Sequence, residues 1–431
     1  MKIRRLIILL ISFALLMTFS NLAQIGGRNN LYSSNYPAVV CPDIGGNSSV
    51  QISLTNSSKL IRSLSRASVN MVPAKSTRIT SNSGSVLVDG NGINSLAWIS
   101  KTNIWAGGVT CLAPQGEQYF VGGSADVSSK SQVVLVNSGL SSSTVDLTIF
   151  TDGNNSFKKA VTVKKNQTAT LSVVSLAPGA KSIAMLVTPR TGRVSAYFVD
   201  ERGKGLTTLG GDLVNSQNNL AKTLYIPAIP HTLKLEKTHL LRVLNPNMTG
   251  ANISVELIST DGRYVPVGMD NRAINSDRVV DIPFDVDTKI SAFGLKITSD
   301  QPIAASVYSR VQGTGKADFV WSSAVPEAVT GTWAITGLDP TFVVIGGKID
   351  VNLTAIMPGG KNISKSISGS DIGAWKIPSG ALGLQINSIG KDNSAALLVN
   401  SQSGSGYFPL LNGSVLTRST VPTANIGVLN P

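Results

Sequence analysis

Charge is the scarcest ingredient of this sequence. Asp, Glu, Lys and Arg make up 14% of its 431 residues, against about 25% in ordinary soluble domains. Strong helix formers are thin as well, and Ser, Thr, Asn, Gly and β-branched residues take their place. That composition argues against a helical cytosolic enzyme and for strands in an exported protein. Histidine is nearly missing, with His231 and His239 the whole supply. Placed on either side of TLKLEKT, they fit neither an HExxH helix nor a tandem metal pair, and they read as exposed linker residues. Without a G-x-S-x-G elbow, a serine-hydrolase triad has no support. Gly313-Thr314-Gly315 lacks the third glycine and the following helix of a dinucleotide loop. No cofactor or metal site is expected.

Cysteine is equally sparse. Cys41 and Cys111 have no C-x-x-C spacing and no company of soft ligands. In an exported chain such an even pair reads as a disulfide. Long apolar runs are also absent, with one exception. Leu6 to Phe19 follows the cations Lys2, Arg4 and Arg5, the pattern of an export signal. Residues 1–23 are therefore a signal peptide, or an uncleaved hydrophobic helix that anchors the chain. Residues 24–35, QIGGRNNLYSSN, form a polar linker. The expected location is extracellular, or tethered to the outer face of the cytoplasmic membrane.

What the sequence has in quantity is strand pattern. From His239 to Pro326 apolar residues alternate, as in ISVELIST from Ile253, and turn pairs such as Asp261-Gly262 interrupt them. Paler copies of this stretch lie before and after it. Short apolar openings stand at Tyr36, Glu117, Lys222 and Gly331, a domain-sized period. Each is followed by a second strand, which ends on Asn in the middle two units; in all but the first unit a strand with a Gly turn and a late pair that reads as a hairpin come next, SIAMLVTPRTGRVSAYFVD from Ser182 being one. The expected units are 36–116 (divergent), 117–221, 222–330, and 331–431 (divergent, with a C-terminal tail). Turn signals every 8–12 residues or so predict tandem antiparallel β-sandwiches of immunoglobulin-like type. The alternative is a β-propeller. Its blades run about 40–50 residues, so two would have to hide in each unit, and no such half-period is visible.

Several short motifs occur in a fixed order: Cys41-Pro42, Cys111 ahead of Phe120-Val121-Gly122-Gly123, and Leu135-Val136-Asn137. After them come Asn245-Pro246, Asp261-Gly262, Ser299-Asp300 with Pro302, and DFVWSSA from Asp318. On that order the chain resembles an actinobacterial family of secreted or membrane-anchored proteins known only as a domain of unknown function. It resembles more loosely the immunoglobulin-like repeats of bacterial surface proteins. The first resemblance spans most of residues 36 to 326. It implies an extracytoplasmic β-protein and brings no catalytic residues.

Candidate chemistry is thin. The acid pairs near in sequence are Asp277 with Asp281, and Asp285 with Asp287. The second pair could also form a calcium turn. Trp98, Trp105, Trp321, Trp333 and Trp375 read first as core or seam residues, and otherwise as platforms for sugar rings. The formal net charge of +13 is spread out, with Lys158-Lys159 and Lys164-Lys165 the densest interior pairs. Nucleic acid is an unsuitable partner, since export removes the protein from it and no stacking aromatics accompany the charge. These features point to a non-enzymatic cell-envelope interaction or scaffold protein. The alternative is a binder of glycan or an anionic envelope polymer, and a polymer hydrolase stands behind both. The partner is expected to be an envelope protein or a wall polymer, and a membrane contact runs through the N-terminal segment if it stays uncleaved.

Overall fold

The computed structural model describes residues 38–411, apart from 65–69, 82–83, 90–92, 102–103, 154–155, 205–206, 233–237, 287–289, 313–316 and 402–403. The expected N-terminal helix and linker lie outside the described residues. Apart from one 3-10 turn at Pro358–Gly360, every described element is a β-strand.

One pairing scheme recurs four times. It is clearest in the second unit, whose strands in chain order are Gln118–Val121, Gln132–Asn137, Ser143–Thr151, Phe157–Val163, Gln167–Ser172, Ile183–Thr191, Ser195–Lys204 and Thr207–Val214. They form two antiparallel sheets. One has the order fourth–third–sixth–first and the other fifth–second–seventh–eighth. The first unit, Val39–Cys41 to Trp105–Thr110, repeats both orders. In the third unit the single strand Ala292–Gln312 serves as sixth and seventh together. In the fourth, Thr341–Ile356 is second plus third, and Ile363–Lys376 is fourth plus fifth. Each unit is thus a four-stranded ribbon of sheet bent back on itself. Its strands pass from one layer to the other at a shared corner.

That scheme corrects two expectations. The late pairs are not hairpins: Ile183–Thr191 pairs with Ser143–Thr151 and Gln118–Val121, whereas Ser195–Lys204 pairs with Gln132–Asn137 and Thr207–Val214. Pro189 to Gly192 bends the chain between layers and does not reverse it. Nor is the sheet order that of an immunoglobulin domain, where the first two strands share a sheet. The two layers draw on interleaved strands, which hides their half-period from the sequence.

Both layers of a unit bury one core. In the second unit Val133, Leu135, Leu147, Ile149, Met185 and Phe198 meet there. The outer face of each second layer then packs on the preceding unit. Val134, Val136, Tyr197, Val199 and Leu213 join the first unit's core, and Phe319 and Trp321 of the third unit join the second's. Val343, Ala396, Leu398 and Tyr407 of the fourth unit pack on Val311, Val320 and Val325 of the third. Leu96, Trp98 and Ala106 of the first unit enter the core of the fourth. The sequence of seams closes, giving an all-β body with small sheets in a four-bladed, propeller-like arrangement.

The four eighth strands, Trp105–Thr110, Thr207–Val214, Ala317–Ser323 and Gly404–Pro409, touch one another in turn around the axis. Glycine allows this approach. A Cβ on Gly107 would fall 2.2 Å from Asp212 Oδ1, and one on Gly210 2.3 Å from Asp318 Oδ1. The ring is latched where Thr332–Ala334 pairs in parallel with Ile93–Ser95. Ser53 Oγ and Thr336 Oγ1 donate across the same junction, at 2.9 and 2.8 Å. Within the first unit, Cys41 is joined to Cys111 with Cα atoms 4.6 Å apart, and both are fully buried.

Candidate functional site

Two regions concentrate polar side chains, the axis and the corners. At the axis, the eighth strands of the second and third units exchange carboxylates. Asp212 Oδ2 accepts from Trp321 N at 2.7 Å, and Asp318 Oδ1 accepts from Gly211 N at 3.1 Å and Phe319 N at 2.9 Å. Burial pushes both carboxyls up, Asp318 to about 7 despite those N–H donors and that of Ala106. Asp212 also feels the charges of Asp318 and Asp200. Nearby indoles take the other buried acids. Trp321 Nε1 donates to Asp200 Oδ2 at 2.9 Å, and Trp105 Nε1 to Glu201 Oε2 at 3.3 Å. Lys101 Nζ lies 3.0 Å from Glu201 Oε2, and Arg202 Nη2 2.8 Å from Asp200 Oδ2. The acids face backbone and neighbouring strands, 1% and 5% exposed for Asp212 and Asp318. Sealed in this way, they hold units together and have no room for a substrate.

A pocket of about 430 Å³ lies beyond the axial strands, lined by Gln217, Asn218, Leu224, Val325, Glu327 and Leu411 among others. Its walls are mostly apolar. Glu327 Oε1 is committed to Asp392 N at 2.7 Å, and the Gln217 amide to Ala305.

The corners are where the chain crosses between layers, through three connections that are loops in the second unit and in part continuous strand in the third and fourth. In the second unit Asn137 Nδ2 donates to Ser141 O (2.8 Å) and to Val163 O (3.0 Å). Asn137 Oδ1 accepts from Gly139 N at 2.9 Å. Ser143 Oγ donates to Arg193 O at 3.3 Å, tying in the third loop. The third unit repeats the device. Asn245 Nδ2 reaches Thr249 O (2.9 Å) and Asn275 O (3.2 Å), and Asn247 Nδ2 donates to Pro302 O at 2.8 Å. This is why a strand ends on Asn in both copies: the side chain braces the turn that follows.

The braced loops display different chemistry. In the second unit residues 138–142, 164–166 and 190–193 carry Lys164, Lys165, Arg190 and Arg193 and no carboxylate. All four cations are exposed, and Leu140 at the tip is 88% exposed. The matching segments of the third unit, loops 246–250 and 275–277 and the strand residues 299–302, carry Asp277 and Asp300 and no cation. Their tip is Met248, 92% exposed. Such loops on a rigid frame are suited to contact a partner.

The expected site residues fall elsewhere. Asp277 is an exposed turn residue at φ 51°. Asp281 is a seam residue: Arg242 Nε and Nη2 reach its two oxygens at 2.7 and 2.8 Å, and Ser182 donates to it as well. Burial pushes its carboxyl up, and Arg242 with Ser182 more than offsets this, leaving it below the ordinary range. Asp285 is exposed, and Asp287 lies outside the described residues. The histidines correct another expectation. His239 is buried in a strand, its Nε2 3.0 Å from His231 Nδ1 and its Nδ1 3.0 Å from Ser309 Oγ. Burial, then the neighbouring His231, lowers it to about 3. Trp98, Trp105, Trp321 and Trp333 are buried and offer no face to a sugar, and Trp375 is half-buried against the fourth core. Arg242 and the Asp212–Asp318 pair escaped sequence reading. Their signal was a charged residue inside an otherwise apolar strand, in HLLRVLN, GGDLV and DFVW.

No curated protein matches the sequence. A family model described as “Family of unknown function (DUF5719)” matches residues 106–368. Among solved structures, “Crystal structure of tetra-tandem repeat in extending region of large adhesion protein” aligns at 11% identity over 85% of this chain and 92% of that one, with a TM-score of 0.12. At that score no argument about fold or function follows.

Proposed function

The chain belongs to the family of unknown function DUF5719, and from that premise we propose a non-enzymatic role, that of an exported scaffold that holds a partner at the cell envelope. Each unit is read as a two-layer sandwich set in the ring, presenting its corner loops outward. The observation that carries this reading is the pair of neighbouring corners with the same Asn-braced loops and opposite charge. A frame that repeats its geometry while varying its tips is suited to recognition. The buried Cys41–Cys111 bridge and the apolar leader after Lys2, Arg4 and Arg5 support export.

A second reading, an anionic-polymer binder, is favoured by the four-cation corner of the second unit. Four of the five indoles are buried and Trp375 is half-buried, and the axial acids are sealed, so the corner loops carry the reading better than glycan stacking or hydrolysis. Co-sedimentation of the full chain with purified cell envelopes tests the proposal. Binding is expected, and substitutions at the corner loops weaken it while substitutions lining the axial pocket do not. Binding abolished by modest salt shifts the reading to an anionic polymer. Failure to co-sediment at any salt sinks both.

A further inference from the structure

We infer that the corner of the second unit docks onto an anionic lipid surface, with Leu140 entering between the headgroups and Lys164, Lys165 and Arg193 holding the phosphates; this rests on the envelope reading above. The three cations and Arg190 sit on loops that hydrogen bonds bring to one corner. Arg190 is paired with Asp146, 30% exposed beneath it. Lys164, Lys165 and Arg193 form no ion pair among the described residues, and no carboxylate shares their loops.

Charge alone would suit any polyanion. Leu140 decides for a bilayer. It projects from Ser138-Gly139-Leu140-Ser141-Ser142 with 88% of its surface in water. A wall polymer offers that side chain nothing, whereas the boundary below lipid headgroups removes it from water. The loop is fixed beforehand by Asn137, so little ordering is lost on docking. The third unit contains its own control. Met248 is as exposed, on a loop braced by Asn245, but Asp277 and Asp300 stand beside it and are repelled by the same surface.

Both native cysteines are consumed in one bridge, so a single Leu140→Cys or Met248→Cys can be labelled with a polarity-sensitive fluorophore on the full chain. The probes are vesicles of phosphatidylcholine and of phosphatidylcholine mixed with phosphatidylglycerol. The signal is local, so tethering of the chain by another segment does not mimic it. The expected result is a blue shift at position 140 with the anionic vesicles only, and none at position 248. Lys164→Glu with Lys165→Glu lowers that partition by about tenfold or more, with unchanged far-ultraviolet dichroism, and free inorganic phosphate does not substitute for vesicles. No shift at 140 with anionic vesicles overturns the inference, as does an equal shift with neutral ones. If 140 stays in water while the protein still sediments with envelopes, the lipid assignment falls and the scaffold reading stands. If both signals are missing, both fall.

Discussion

The second and third units share a strand order, an Asn-braced corner and a layered core, and both seams mix apolar contacts with buried charge, yet at one matched position they meet their neighbours by different means. Position for position on the second strand, Val134 of one matches Arg242 of the other. Val134 pairs with Thr170 and Tyr197, and Arg242 with Asp281 and Ser306. Val134 fills the first unit's core beside Val136 and Val199. Arg242, 2% exposed, instead spans to Gly123 O and Ile183 O of the second unit while holding Asp281. Its guanidinium also lies 5.0 Å from the Trp321 ring centroid, a cation–π distance. An apolar seam draws on area and tolerates exchange of similar volumes. A charged seam requires every partner, and so fixes one register between the blades.

The comparison breaks first at Arg242. Arg242→Ala leaves Asp281 with Ser182 as its remaining side-chain donor and two carbonyls without the guanidinium, and is expected to cost about 3–5 kcal/mol, whereas Val134→Ala costs about 2 kcal/mol. Urea melts of the two variants check this, and equal losses would erase the distinction between seams. The braces come next. Asn137→Ala and Asn245→Ala should each cost about 1–3 kcal/mol, and a marked inequality would show that the two corners are not equivalent.

The axial acids between the same units set a pH dependence. Unfolded, the Asp318 carboxyl ionises near about pH 4; folded, burial holds it neutral to about 7. Its contribution to stability is therefore full below about pH 4, declines as pH rises toward 7, and is flat beyond. Asp318→Asn keeps an acceptor for Gly211 N and Phe319 N. It should raise stability by about 2 kcal/mol at alkaline pH and flatten that slope. A slope unchanged in thermal melts across the window counts against the buried position. The smallest effect belongs to the tips: exchanging Lys164-Lys165 for the third unit's Asn275-Ser276 should alter stability by under about 0.5 kcal/mol. A larger change would mean that the loops belong to the frame and not to a contact surface.

Strand identity was legible because its signals are local. Period-two alternation and turns such as Asp261-Gly262 depend on a few neighbours. Which layer a strand joins is a tertiary choice, so Pro189 to Gly192 looked like a hairpin turn and is a step between sheets. The ring was hidden for the same reason: two four-stranded layers exist in each unit, but chain order shuffles them. At the corners the Asn-ended strands were visible as breaks, and their bracing role was not, since Val163 and Asn275 lie far along the chain. His231 and His239 were misplaced because His239 opens a buried strand and lies with its Nε2 3.0 Å from His231 Nδ1, a tertiary contact that their spacing does not signal.

The latch between Thr332–Ala334 and Ile93–Ser95 makes the last unit a structural part of the first. A chain that emerges N-terminus first makes Leu96, Trp98 and Ala106 long before the core that receives them. Until the fourth unit arrives, that apolar face is an open edge, the hazard of any partly made β-array. Ring closure joins residues from opposite ends of the chain and is the step with the greatest loop to close. Durability of the fold thus rests on a clasp: loosening it uncovers one face on each side at once, and the ring becomes a linear string of units with two sticky ends.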